Sequence, residues 1–335
     1  MPDTTSSPVA TPKGLRRWAM LCVGFCVFLL LAGANVNTQD GGLTVPDWPR
    51  MYYEWVPGWD RFWLFMGPAP LRAEVLHRWI AKAMGLLTIA LAVWAHFREE
   101  RRSVRRMCWA ALGLVIVQGV WGGLGVIFKL EGPWPLLHST FAQLYLCLLV
   151  AIASMMSPWW HAAEGRERPL DDDALRMMKL SLIATAALFV QLILGAGARH
   201  GIFAREIHAV VAMPVTIILV KTVLAGVGDL PRELTVIRDP ARLIGYLLGA
   251  QVGLGLWSYM IVSADKAAHQ LSLMEIAAVN AHLVIGALLL ATTFAVVLRT
   301  FRTFGLPTDA RVAAMTGDRS AGDLTTSVSR TTSTP

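Results

Sequence analysis

Eight apolar runs, each long enough to cross a lipid bilayer as a helix, leave this chain of 335 residues little choice of environment. A spanning α-helix needs about 20 predominantly apolar residues, and a helix suits the bilayer because it satisfies its own backbone hydrogen bonds where no water can. The runs cover residues 15–36, 76–97, 107–128, 136–156, 177–198, 207–227, 241–262 and 276–298. Composition agrees, with 55% hydrophobic and only 16% charged residues, too apolar for an ordinary soluble domain. The expected fold class is an all-α integral membrane protein with eight transmembrane helices. The first run follows Lys13, Arg16 and Arg17, yet its apolar part exceeds the about 7–15 residues of a signal-peptide core. No small-residue cleavage site follows it, so it reads as a retained helix.

Lysine and arginine set the expected orientation, because cytoplasmic loops are enriched in them. The segment between the second and third runs holds Arg98, Arg101, Arg102, Arg105 and Arg106. Lys13, Arg16 and Arg17, the group Arg232, Arg238 and Arg242, and the pair Arg299 and Arg302 fall on the same side. Opposite loops are poorer: Lys129 between the third and fourth runs, Arg199 and Arg205 between the fifth and sixth. Both termini are therefore expected in the cytoplasm of a cell whose cytoplasmic membrane holds the chain. The net charge of +7 follows from topology and implies no nucleic-acid partner. Cys22, Cys26, Cys108 and Cys147 all fall inside apolar runs, which indicates packing rather than a disulfide framework or a thiolate metal site.

Along the chain, residues 1–14 and 299–335 read as cytoplasmic ends, largely disordered and rich in Ser, Thr and Pro. A polar linker over residues 157–176, with Pro158, Pro169 and Asp171 to Asp173, separates a half over 15–156 from a half over 177–298. Each half has four runs, and the halves resemble each other. Gln118 precedes Gly122, Gln191 precedes Gly195 and Gln251 precedes Gly255, each pair four residues apart in an odd-numbered run. The first run has Gly33 at the corresponding depth, with Leu29 where glutamine would stand. Every odd run is followed by an even run that opens with histidine: His77, His138, His208 and His282. Two parallel repeats, each a four-helix bundle, are expected.

A histidine in a membrane helix is costly unless paired, and is a functional candidate by default. One such residue at a helix end could simply sit in the interface; four at matching depth on alternate helices make coincidence a poor explanation. Zinc usually takes a tight cluster with carboxylates or thiols. Copper stays open, although the fourteen methionines form no clustered ligand pattern. Haem iron takes two axial ligands, which imidazoles from facing helices supply, so four histidines in two bundles suggest two haem sites. The glycines of the odd runs fit either close approach of a flat macrocycle or helix packing. Among the other histidines, His96 and His161 fall at the cytoplasmic border, and His200 and His269 in outer loops, where solvated roles are expected.

Glu74 stands three residues before His77, on the same helix face if the helix begins early enough. It is a candidate proton acceptor beside a haem site, or else an exposed N-terminal glutamate favoured by the helix dipole. The outer loop over residues 37–75 is the longest, and Trp55, Trp59, Phe62, Trp63 and Phe65 give it an aromatic stretch. It reads as a membrane-lying lid over the site of the first half, or as a simple interfacial anchor.

These elements in this order resemble the haem A synthase family, the CtaA type of bacteria and mitochondria. The resemblance spans residues 15–300 and rests on Gly-Gly-Leu-Thr-Val-Pro-Asp-Trp-Pro at 41–49 and Glu-Val-Leu-His-Arg at 74–78. The Gln-x-x-x-Gly segments and the three later histidines complete it. It implies an oxidoreductase that converts haem O to haem A by oxidising a ring methyl group to formyl, for cytochrome oxidase biogenesis. It further implies a haem b cofactor between His208 and His282, haem O bound between His77 and His138, and Glu74 as the catalytic carboxylate. A haem O synthase and cytochrome oxidase assembly proteins would be partners. The chain departs from many bacterial members in having no cysteine pair in the first outer loop and only a short segment, 199–206, between the fifth and sixth runs. Two other classes compete: a bis-histidine di-haem cytochrome that only transfers electrons, and a proton-coupled transporter using the histidines as a relay.

Overall fold

The structure, a computed structural model, describes residues 11–55, 63–262 and 271–308. Among these, eight helices are long and apolar enough to cross a membrane: α1 (Lys13–Thr38), α3 (Ala69–Arg98), α4 (Arg102–Ile127), α5 (Pro133–Met155), α7 (Asp172–Arg199), α8 (Arg205–Leu224), α9 (Thr235–Ile261) and α10 (Leu273–Phe304). Two short helices, α2 (Trp63–Met66) and α6 (Pro158–Ala162), lie in connections, and a π-helical turn, Ala225–Asp229, ends α8. No strand forms among the described residues. Trp59, Phe62, His269 and most of both chain ends lie outside the described residues.

Helix starts follow local chemistry. Prolines stand in the first turns of α3 and α5, where a missing N–H costs nothing. Asp171 caps α7 by accepting from Ala174 N at 2.7 Å, with Asp172 and Asp173 in the first turn. Ser272 and Glu275 form a reciprocal capping box at α10. Three helices differ by six residues or more from their apolar runs: α3 begins at Ala69 rather than at 76, α9 begins at Thr235 rather than at 241, and α10 continues to Phe304 rather than stopping at 298. Within the first two turns of α3, Glu74 finds partners in the fold, so the long outer loop is shorter than its sequence suggests.

The helices pack as two closed rings. α1, α3, α4 and α5 touch in cyclic order, and so do α7, α8, α9 and α10. The rings join through contacts of α1 and α5 with α10 and of α5 with α7. Leu15, Cys22, Cys26, Met84, Leu91, Leu146 and Ile152 fill the first core; Met177, Met178, Leu219, Ile244, Leu289 and Val296 fill the second. All four cysteines are free. Polar contacts knit the seam between rings: Arg199 donates to Ala34 O at 2.6 Å and to the Thr38 hydroxyl, which itself donates to Asn280 Oδ1 at 2.7 Å.

Candidate functional site

Four histidine rings lie at one end of the two rings of helices, and each rests on a glycine of the preceding membrane helix. A methyl group built on Gly33 would stand 3.2 Å from His77 Cε1; on Gly122, 3.0 Å from His138 Cε1; on Gly195, 2.8 Å from His208 Cε1; on Gly255, 2.8 Å from His282 Cε1. Real Cβ atoms essentially never stand under 3.0 Å from a neighbour, so a methyl group at Gly195 or Gly255 would force the ring to shift, and one at Gly33 or Gly122 would press on it; the imidazoles rest on these glycines. The room they make is filled by the imidazoles themselves, close to the helix-packing alternative for these glycines.

The glutamines one turn away bond to the same histidines. Gln118 Nε2 donates to His138 O at 3.0 Å. Gln191 Nε2 lies 2.8 Å from His208 O and 3.1 Å from His208 Nδ1. Gln251 Nε2 lies 3.2 Å from His282 Nε2, and His282 Nδ1 lies 3.2 Å from Gln251 O. His208 and His282 face each other with ring centroids 6.2 Å apart and planes at 90°. Two imidazoles that each direct a nitrogen at one ion from about 2 Å have ring centroids about 6 Å apart; the separation here is of that size, with His282 Nε2 turned to Gln251 Nε2. His77 and His138 lie near enough to interact electrostatically, and the Nδ1 of each is buried without a hydrogen-bond partner. Among the described residues no group of three or more His, Cys, Asp and Glu forms; the histidines come in pairs.

Glu74 is neither exposed nor at the helix N-terminus. It is 3% exposed, and both of its oxygens are engaged. Oε2 accepts from Thr44 N at 2.7 Å, Thr44 Oγ1 at 2.6 Å and Val45 N at 3.0 Å; Oε1 accepts from Arg78 Nη2 at 2.5 Å. Arg78 also donates to Asp47 O at 2.6 Å and Val45 O at 3.0 Å. Further along, the Trp48 ring covers Gly123, where a methyl group would meet it at 2.2 Å. Gly123 adjoins Gly122, the seat of His138. The loop is thus fastened to α3 beside His77 and to α4 beside His138. Asp47 braces its turn through Tyr52 N and Tyr53 N, each at 2.7 Å, while Val45, Met51, Leu64, Leu71 and Val75 make a small core beneath. Tyr53 and Trp55 are exposed.

Arg78 and Trp48 were legible only as parts of the quoted motifs, because their partners come from other segments. Of the remaining histidines, His96 is exposed and His161 approaches Thr11 Oγ1 at 3.4 Å, both at the opposite end of the helices.

Comparison with known proteins matches the chain to the COX15-CtaA profile, described as cytochrome oxidase assembly protein, over residues 2–150 and 71–206, together more than half of its length. The chain belongs to the COX15-CtaA family. It is a multi-pass membrane protein of that family, with eight apolar helices. Similar curated proteins include the Heme A synthases of Shouchella clausii (26% identical over 146 residues, 43% of this chain and 46% of the relative), Symbiobacterium thermophilum (27% over 145, 42% and 45%) and Bartonella tribocorum (22% over 158, 46% and 41%). The chain therefore spans less than half the length of these relatives in each match. No solved structure matches it significantly. The COX15-CtaA match contains Glu74, His77 and His138 and stops just short of His208, so the C-terminal pair lies outside it.

Proposed function

We propose that this chain is a haem A synthase-like oxidoreductase of the cytoplasmic membrane, converting a methyl group of haem O to the formyl group of haem A for cytochrome oxidase biogenesis. The observation that carries the reading is the facing pair His208 and His282, with centroids 6.2 Å apart, together with the same glycine-seated histidine arrangement at His77 and His138. The relatives named Heme A synthase supply the reaction class.

In this reading, residues 177–298 form the C-terminal bundle and hold haem b between His208 and His282. Residues 15–156 form the N-terminal bundle and hold haem O between His77 and His138. The donor sets fit: imidazoles brought together in two pairs, with buried polar atoms at His77 Nδ1, His138 Nδ1, Gln118 Oε1 and Gln191 Oε1 that no described group satisfies. Bound haem supplies the redox chemistry, and the protein supplies orientation and a water-poor site. Glu74 and Arg78 hold the loop at Thr44, Val45 and Asp47 across the N-terminal pair, and Trp48 closes it against α4. Glu74 is the one carboxylate within a helical turn of His77, so it is also the group available to take a proton when the loop releases it. The histidine end faces outward and both termini face the cytoplasm. A haem O synthase and cytochrome oxidase assembly proteins are the proposed partners.

The test is expression in cells that make haem O but no haem A, followed by haem extraction and chromatography. Haem A should appear with this chain. Unchanged haem O, with haem b alone bound to the purified protein, would make it an electron-transfer cytochrome.

A further inference from the structure

The two histidine pairs share their glycine seats but differ behind the rings. In the C-terminal pair each Nδ1 has a partner: Gln191 Nε2 at 3.1 Å for His208, and the Gln251 backbone carbonyl at 3.2 Å for His282. In the N-terminal pair both Nδ1 atoms are buried and without a partner. For His138, the Gln118 amide is used on the backbone carbonyl at 3.0 Å. For His77 the cause lies in the sequence. A Cβ on Gly33 of α1 would stand 3.4 Å from His77 Nδ1, and one turn earlier, where the other odd helices carry glutamine, α1 has Leu29.

A metal-bound imidazole keeps a proton on its second nitrogen. An acceptor for that proton fixes the ring's orientation and raises its basicity, and losing the acceptor typically costs about 10–100-fold in metal affinity. At His282, Nδ1 stands 3.2 Å from the Gln251 backbone carbonyl, the placement such a ring needs, while the Gln251 side-chain amide, 3.2 Å from Nε2, would have to turn aside for that nitrogen to bind iron. At His208 it is the Gln191 amide nitrogen that faces Nδ1; turning the amide to bring its unpartnered Oε1 to Nδ1–H would give up the Nε2 bond to His208 O. His77 has no comparable group.

We infer that these partners divide the labour between the halves. Gln191 and the Gln251 carbonyl are positioning groups that make His208 and His282 a permanent ligand pair, and Leu29 leaves His77 an unbraced ligand from which a haem can leave. This rests on the two-site reading above and adds what that reading lacks: a residue-level reason why one pair retains a cofactor and the other releases a product.

The test uses the full-length protein saturated with ferric haem b as probe and mixed with apomyoglobin as acceptor. Release should be biphasic, with the fast phase absent in His77→Ala and the slow phase absent in His208→Ala. Leu29→Gln should slow the fast phase about 10-fold or more, and Gln191→Leu should speed the slow phase by a similar factor. Gln191→Leu should also raise the midpoint potential of the slowly released haem, because a less basic ligand stabilises ferric iron less; a purely structural role would leave that potential unchanged. Equal release from both pairs, or phases unmoved in both variants, would overturn this inference and leave the two-site reading intact. A wild-type protein that binds no haem at either pair would overturn both.

Discussion

His208 and His282 stand edge to face in the C-terminal ring, centroids 6.2 Å apart and planes at 90°, each seated on a glycine of the helix before it. The seat permits no methyl group. Gly195→Ala and Gly255→Ala each add a Cβ at 2.8 Å from an imidazole carbon, and overpacking of this sort costs ~1–3 kcal/mol. Both variants should lose much of the bound haem b spectrum while remaining in the membrane. Gly24→Ala, where a Cβ meets nothing within 4 Å, should keep it. Equal spectra in all three would show that the glycines do not set the ring positions.

The first outer loop should behave as a cover held at two points. Gly123→Ala drives a methyl group into the Trp48 ring and should release one of them. The expected result is faster proteolysis within residues 39–55 and reduced haem A formation, with haem b retained in the C-terminal pair. Protection equal to wild type would detach Trp48 from any covering role.

Glu74 is the other fastening. Glu74→Ala removes the acceptor for Thr44 N, Thr44 Oγ1, Val45 N and Arg78 together. Breaking a buried pair of this kind costs about 3–5 kcal/mol, so the N-terminal half should unfold at lower temperature, the loop should become protease-sensitive and haem A should not form. Glu74→Gln keeps an oxygen for Thr44 and Val45 and should preserve loop protection better than Glu74→Ala while still lowering haem A yield. Wild-type haem A in both variants would reduce Glu74 to a structural residue.

At the opposite end, Glu99 gives a pH signature unrelated to haem. Burial pushes its carboxyl up, but hydrogen bonds from Arg101 and Thr11 outweigh this and hold it below the ordinary value of 4.5. Thr11 Oγ1 donates to it at 2.6 Å and Arg101 Nε at 2.8 Å, while Arg101 Nη1 reaches Met155 O at 2.7 Å. With the folded value depressed, the stabilisation is fully present above pH 4.5 and is lost as pH falls through the lower folded value. Thermal unfolding in detergent should show wild type losing stability on acidification more steeply than Glu99→Gln. Parallel curves would remove Glu99 from the linkage.

The eight spans were readable because a membrane demands long apolar runs, and the pattern of odd-helix glycine and even-helix histidine was readable because it repeats. Misread parts depend on contacts between distant segments. Residues 69–75, with Pro70, Arg72 and Glu74, look like loop on hydropathy alone, yet they form the start of α3, and Glu74 is buried there by partners thirty residues away in sequence. The glycines fitted either a macrocycle or helix packing, and only the helix register shows the imidazoles resting on them. Gln191 was visible as part of a repeated Gln-x-x-x-Gly segment; that its amide reaches His208 required the packing of α7 on α8.

The most direct measurement for the two-pair account is the reduced-minus-oxidised spectrum and extracted haem of purified variants lacking one histidine at a time. Haem b should be lost in His208→Ala and His282→Ala and retained in His77→Ala and His138→Ala, with haem A formation absent in the latter two. Haem b retained after loss of His208 and after loss of His282 would contradict it.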